Sequence, residues 1–188
     1  MRTLFKIILI ALLVFTVTIA VVGGILFGDL AGALAFGSET LTPTGDAVGK
    51  ALVVYSPGLS GASGDAASTI ASRLQSSGYE VVLAGVSSAT AGNTTGYAVI
   101  VVGGPIYAGK PTASIQNYLN NLNPPANAAV GVFGVGSGPA DSDDPAVIAS
   151  EVAPLPADST VTLKTVMKIA SSEDLNTRCT QFVTALLA

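Results

Sequence analysis

A chain of 188 residues with eight basic and 12 acidic side chains, no histidine and one cysteine excludes several functions at once. It lacks the positive charge of a nucleic-acid surface, the ligands of a zinc centre, the imidazole of a Cys/His catalytic pair and the second thiol of an internal disulfide. The length suits one ordinary domain plus an appendage.

The appendage comes first in the chain. Arg2 and Lys6 precede Ile7 to Gly28, 22 residues without a charge and with Thr16 and Thr18 as polar breaks. As a helix this run would measure about 33 Å, enough for a bilayer core. A signal-peptide core is about 7–15 residues, so residues 1–28 read as an uncleaved membrane anchor, with a long signal peptide as the alternative. Basic residues flank only the N-terminal end, and Asp29, Glu39 and Asp46 follow the other. The positive-inside rule therefore puts the remainder of this single-pass chain outside the cytoplasm. That remainder holds all 12 acids and six of the basic residues, a net charge of −6, which argues against nucleic acid as a partner.

Residues 29–49 read as a tether, because 37–49 (GSETLTPTGDAVG) are rich in Gly, Thr and Pro and lack hydrophobic periodicity. From Lys50 to Ala188 the pattern alternates. Strands are expected at 51–55, 80–86, 97–102, 129–135 and within 160–170. Helices are expected at 66–74, 112–122, 145–152, and from a Ser171 or Ser172 cap to about Leu187. Cys179 falls on the series Leu175, Cys179, Phe182, Val183, Leu186, one helix face, and reads as a core thiol. Strands apolar on both faces, alternating with helices, imply a doubly wound five-stranded parallel sheet in a three-layer α/β sandwich. Ligands in such sheets bind beyond the carboxyl ends of the strands, which singles out loops 56–64, 103–111 and 136–143.

The first of these, SPGLSGASG, supplies hydroxyls from Ser56, Ser60 and Ser63 and small residues that let backbone amides approach an anion at a helix N-terminus. A plain Ser/Gly turn is the competing reading. In the second, Gly104, Gly109 and Lys110 stand at the spacing of a nucleotide-binding P-loop. Pro111 occupies the place of the metal-binding hydroxyl and Pro105 removes an amide, so a triphosphate cradle is set aside. Asn93-Thr94-Thr95 is a glycosylation sequon, relevant to an extracytoplasmic domain. Asp141, Asp143 and Asp144 read as a solvated, helix-capping cluster sooner than a cation site.

YSPGLSGAS after the first domain strand, GYAVIVVGGPIYAGKP at the third and AVGVFGVGSG at the fourth resemble the flavodoxin family over about 50–188. The resemblance implies strand order 2-1-3-4-5 and noncovalently bound FMN. On it, Ser60, Gly61 and Ser63 match the Thr, Gly and last Thr of the phosphate loop. Ala62 replaces the usual Asn, and Ser56 and Gly58 lie just before the motif. Gly103, Gly104, Pro105, Ile106, Tyr107, Ala108 and Gly109 match the loop beside the flavin, where Tyr107 is the one ring available. Gly136, Ser137 and Gly138 match the third loop, which carries no aromatic residue. The expected function is a membrane-anchored FMN-dependent electron carrier working with membrane redox proteins, with no substrate chemistry of its own. A cofactor-free binding or structural module, and a flavin-dependent NAD(P)H or quinone reductase, are the alternatives.

Overall fold

The computed structural model describes residues 2–138 and 144–188; within the first helix only the backbone is described at 2–5, 7, 8, 20, 21, 23–29 and 33. Helix α1 runs unbroken over Arg2–Ala33. Among the described residues no helix is long and apolar enough to cross a membrane, so the expected span over 7–28 is not found there.

Five parallel strands form the centre: β2 (Gly49–Tyr55), β3 (Tyr79–Gly85), β4 (Val99–Tyr107), β6 (Ala129–Gly136) and β7 (Leu163–Ala170), in spatial order β3-β2-β4-β6-β7. That is the 2-1-3-4-5 order expected. The sheet nevertheless has seven strands rather than five. β1 (Ser38–Leu41) adds antiparallel to the outer edge of β3, with Ser38 opposite Ala84 and Leu41 opposite Val81. Its side chains are almost all exposed, so it is held by backbone hydrogen bonds and leaves no hydrophobic signature in SETL. β5 (Lys110–Pro111) folds back on the end of β4.

Alternation along each central strand feeds two cores. Ala51, Val53, Val101, Phe133 and Ile169 face α2 (Ala62–Ser76) and α5 (Leu175–Leu187), meeting Ile70, Leu74, Phe182 and Leu186. Leu52, Val54, Ile100, Val102 and Val132 face α3 (Ala113–Asn120) and α4 (Pro145–Val152), meeting Ile115, Leu119 and Val152. Each fully buried aliphatic or aromatic side chain contributes about 1.5–3 kcal/mol, which explains why both faces must be apolar.

Glycines in the central strands make room for the neighbouring layer. A Cβ on Gly103 would overlap the Phe133 ring, and one on Gly131 would stand 2.8 Å from Phe182 Cζ. Phe133 and Phe182 pack edge to face with centroids 6.1 Å apart. Cys179 is buried beside them, its Sγ 3.8 Å from the Ala66 carbonyl. Burial pushes its thiol up to about 11, as suits an inert core residue.

No helix joins β3 to β4; residues 86–98 instead lie over the second core, pinned where the Tyr118 hydroxyl donates to the Ala91 carbonyl at 2.7 Å. α5 is capped by Asp174, which accepts from Thr177 N at 2.7 Å, and not by Ser171 or Ser172. Ser171 N donates instead to the Gly136 carbonyl.

Candidate functional site

The sequence order reverses between β2 and β4, so the crevice of this doubly wound sheet opens where those strands end, at Tyr55 and beyond Gly103. Ser56 N donates to the Gly103 carbonyl at 3.0 Å, joining the first loop to the second. Gly103 thus turns its backbone polar groups toward β2. Pro105, two residues on, faces the same way but beyond the last β2 residue, so its missing N–H leaves no ladder bond unmade.

The second segment is less of a loop than expected, since Gly103 to Tyr107 continue β4. The chain then reverses through Ala108 (φ 50°) and Gly109 (φ 75°), and Tyr107 pairs with Lys110. Two consecutive positive φ values across a two-residue connection make a type I′ hairpin turn. The P-loop-like spacing of Gly104, Gly109 and Lys110 therefore marks a strand and a tight turn, with no wrapped phosphate cradle. Beside the turn is a cleft of about 330 Å³ lined by Tyr107, Ala108, Lys110, Thr112 and Gln116.

The first loop packs against this hairpin. The Tyr107 hydroxyl accepts from Leu59 N at 3.1 Å, and a Cβ on Gly58 (φ 67°) would lie 2.9 Å from Pro105 Cγ. Tyr107, the one ring expected beside a flavin, thus clamps the two loops together. Ser60 and Leu59 are exposed, Ser63 is buried, and Gly61 (φ 77°) opens α2 without any side-chain cap. Ser60 Oγ reaches Ala62 N at 3.4 Å. α3 likewise opens on Thr112 without a side-chain cap, whereas α4 and α5 open on Asp144 and Asp174, each accepting a backbone amide. An uncapped helix start leaves its first amides and positive dipole end for an anion. Asp65, in the first turn of the same helix, works against one.

Ser56 points the other way, into the second core. It is fully buried, and among the described residues its Oγ has no hydrogen-bond partner. What covers it is the end of α1: a Cβ on Gly32 would stand 2.7 Å from Ser56 Oγ, and it would also overlap Ser114 Oγ. This contact was invisible in the sequence, where 29–49 read as a tether. Ser114 and Ser87 belong to the same junction, and only an uncharged stretch of small residues hinted at it.

The described start of the third loop, Gly136 to Gly138, lies beside the end of β4. Ile106 packs under Gly134 and Gly136 (2.7 and 3.5 Å from the position of an added Cβ), and Ser171 Oγ approaches the Ser137 carbonyl at 3.4 Å. Among the described residues, nothing lies within 4 Å of a Cβ added at Gly138. Beneath Gly136 runs Lys168, buried, with Nζ 2.7 Å from Glu151 Oε2. Asp141 and Asp143 lie outside the described residues, and among the described ones no cluster of potential ligands for a metal ion occurs. Asn93 is exposed and its Oδ1 accepts from Thr95 N at 3.1 Å.

The architecture has solved counterparts. It matches oxidised flavodoxin 2 from Bacillus cereus with a TM-score of 0.50 and 19% identity, over 73% of this chain and 97% of that one. The fold is flavodoxin-like. A flavodoxin from Streptococcus pneumonia TIGR4 gives 0.49 at 19% identity over 73% and 97% of the two chains. A flavodoxin from the domain Archaea gives 0.47 at 15% identity over 73% and 96%. No family model matches the chain, and no curated protein does. Within this flavodoxin-like frame the first two segments predicted from sequence, and the described part of the third, Gly136 to Gly138, stand at the carboxyl ends of adjacent strands β2, β4 and β6.

Proposed function

We propose that the chain is a flavodoxin-like electron carrier that binds FMN and is held at a membrane by α1. The observation that carries the proposal is the start of α2, which opens on Gly61 with no side-chain cap at the switch point of the sheet, where the first two loops meet. The residues fit the phosphate end of the cofactor: backbone amides from Ser60 to Ser63, with the two serine hydroxyls, would hold a dianion. Tyr107, Ala108 and Gly136 to Gly138 would border the ring. Bound FMN would supply the redox chemistry, and the backbone around it would set the potential. The anchor rests on 22 consecutive uncharged residues within one unbroken helix, and the domain lies outside the cytoplasm by the charge rule.

A second reading, a cofactor-free module on the same fold, is favoured by three features. Asp65 sits in the anion-binding turn, the Leu59 amide is taken by Tyr107, and Ser56 is sealed beneath α1. Titration of the detergent-solubilised full chain with FMN separates the two. The carrier reading expects saturable quenching of flavin fluorescence at one FMN per chain and reversible reduction by dithionite. Absence of uptake at any FMN concentration would leave the second reading standing. Reporter fusions at Ala188 test the orientation.

A further inference from the structure

The chain enters its sheet at the end where the candidate site lies. β1 is antiparallel to β3, so everything before Ser38 stands at the carboxyl ends of the parallel strands. Little slack separates α1 from the sheet. The Gly37 carbonyl accepts from Gly85 N at 2.8 Å, the Ala35 carbonyl from Ser87 N at 3.1 Å, and the Gly32 carbonyl from Ser87 Oγ at 3.0 Å. Gly32 has no room for a side chain against Ser56 and Ser114, and Gly85 has none against Ala35. The supposed tether is a weld. Farther back, the described large apolar side chains from Leu9 to Val22 are at least half exposed, so α1 stands clear of the domain there.

The surface around the weld is apolar. Leu30, Leu34, Phe36 and Leu59 are 51%, 64%, 63% and 53% exposed. The first three lead out of α1 and the fourth crowns the loop after β2. No charged residue occurs in 51–64 or 85–109, the stretches that supply the ends of β2, β3 and β4 and the loops that follow. Large apolar side chains gathered beside uncharged loops at the β3-β2-β4 part of this end mark a surface that meets something other than water, while Lys110, Asp144, Glu173 and Asp174 follow β4, β6 and β7 toward its other side. Asp29 closes the apolar run only three residues before Gly32, about 4.5 Å along the helix.

We propose that the carboxyl-end face of the sheet lies against the lipid bilayer, with Leu30, Leu34, Phe36 and Leu59 in its headgroup layer. The proposal rests on the reading of α1 as the anchor. The weld holds the face toward the helix, the short spacer brings it to the interface, and the exposed side chains supply the apolar contact that interfacial binding uses. A cofactor at this face would exchange electrons with membrane-embedded partners, not with proteins approaching from the aqueous side.

The test uses the full chain in phosphatidylcholine liposomes, with Leu59→Cys and Asn127→Cys carrying an environment-sensitive fluorophore. Asn127 is exposed and precedes β6, at the opposite end of the sheet, and the native Cys179 is buried and stays unlabelled. Lipids bearing a nitroxide at the headgroup should quench the probe at 59 and leave the probe at 127 unchanged. Replacing Leu34 and Phe36 by Ser should weaken quenching at 59 while the protein still floats with the vesicles. An unquenched probe at 59 on floating protein, or equal quenching at both sites, overturns the orientation and leaves the anchor intact. A chain that does not float sinks the anchor and this proposal together.

Discussion

Gly104 stands in the segment that the family resemblance assigns to the flavin, yet its packing supplies a different reason for glycine. A Cβ added there would lie 2.7 Å from Ile115 Cγ1 and 3.3 Å from both Ile115 Cδ1 and Ser56 Cβ. Carbon atoms pack best at about 3.5–4.0 Å, so α3 would have to retreat by roughly 1 Å or Ile115 leave its rotamer. Overpacking of this kind costs about 1–3 kcal/mol, and a 1% exposed Ile115 puts Gly104→Ala in the upper half of that range. Replacing glycine also removes about 0.4–1 kcal/mol of unfolded-state entropy, which acts in the opposite sense. The net loss is about 1–2 kcal/mol, a fall in Tm of roughly 2–8 °C for a chain of this size. Thermal unfolding of the full chain without added FMN, followed by tyrosine fluorescence, reads it directly, because all five tyrosines lie between Tyr55 and Tyr118. In an Ile115→Ala background the same methyl group enters vacated space and should be neutral or stabilising, a coupling of about 2 kcal/mol. Equal effects in the two backgrounds, or an unchanged Tm with weakened FMN binding alone, would refute the packing argument.

Three other outcomes follow from local geometry. Ala108→Gly removes a side chain from a positive-φ turn position and should raise stability by up to about 1 kcal/mol in a melting experiment, whereas a β-branched residue there should lower it. Asp174→Ala should lower Tm at pH 7 but much less near pH 2. Hydrogen bonds from the Thr177 side chain first and from its backbone amide second hold the Asp174 carboxyl below its ordinary value, so its stabilisation is present above about pH 4 and lost as pH falls through the folded-state value. Lys168→Met withdraws the ammonium from Glu151 in a site where both side chains are nearly buried, and should cost about 3 kcal/mol in urea unfolding. Adding Glu151→Gln to that variant should recover part of the loss.

The parallel core was legible because burial on both faces writes itself into composition. ALVVY, VIVV and AVGVFGVG admit few readings other than interior strands, and the helices between them carry one apolar face each. The three strand-end segments were legible for the same reason, since strand order places them. What the sequence could not convey depends on neighbours distant in the chain. SETL became a strand only because β3 offered an open backbone edge, which side-chain patterning does not record. Gly103 and Gly104 read as cofactor-loop residues, yet the ring of Phe133 and the aliphatic chain of Ile115 claim their space. Ser56, at the head of a phosphate-like loop, turned inward because strand alternation points it to the second core, where the end of α1 seals it. Local periodicity thus determined the elements and the end of the sheet where a ligand could bind. Contacts between residues 24 to 82 positions apart (Gly32 with Ser56 and Ser114, Leu59 with Tyr107) decided which of the predicted groups remain open to one.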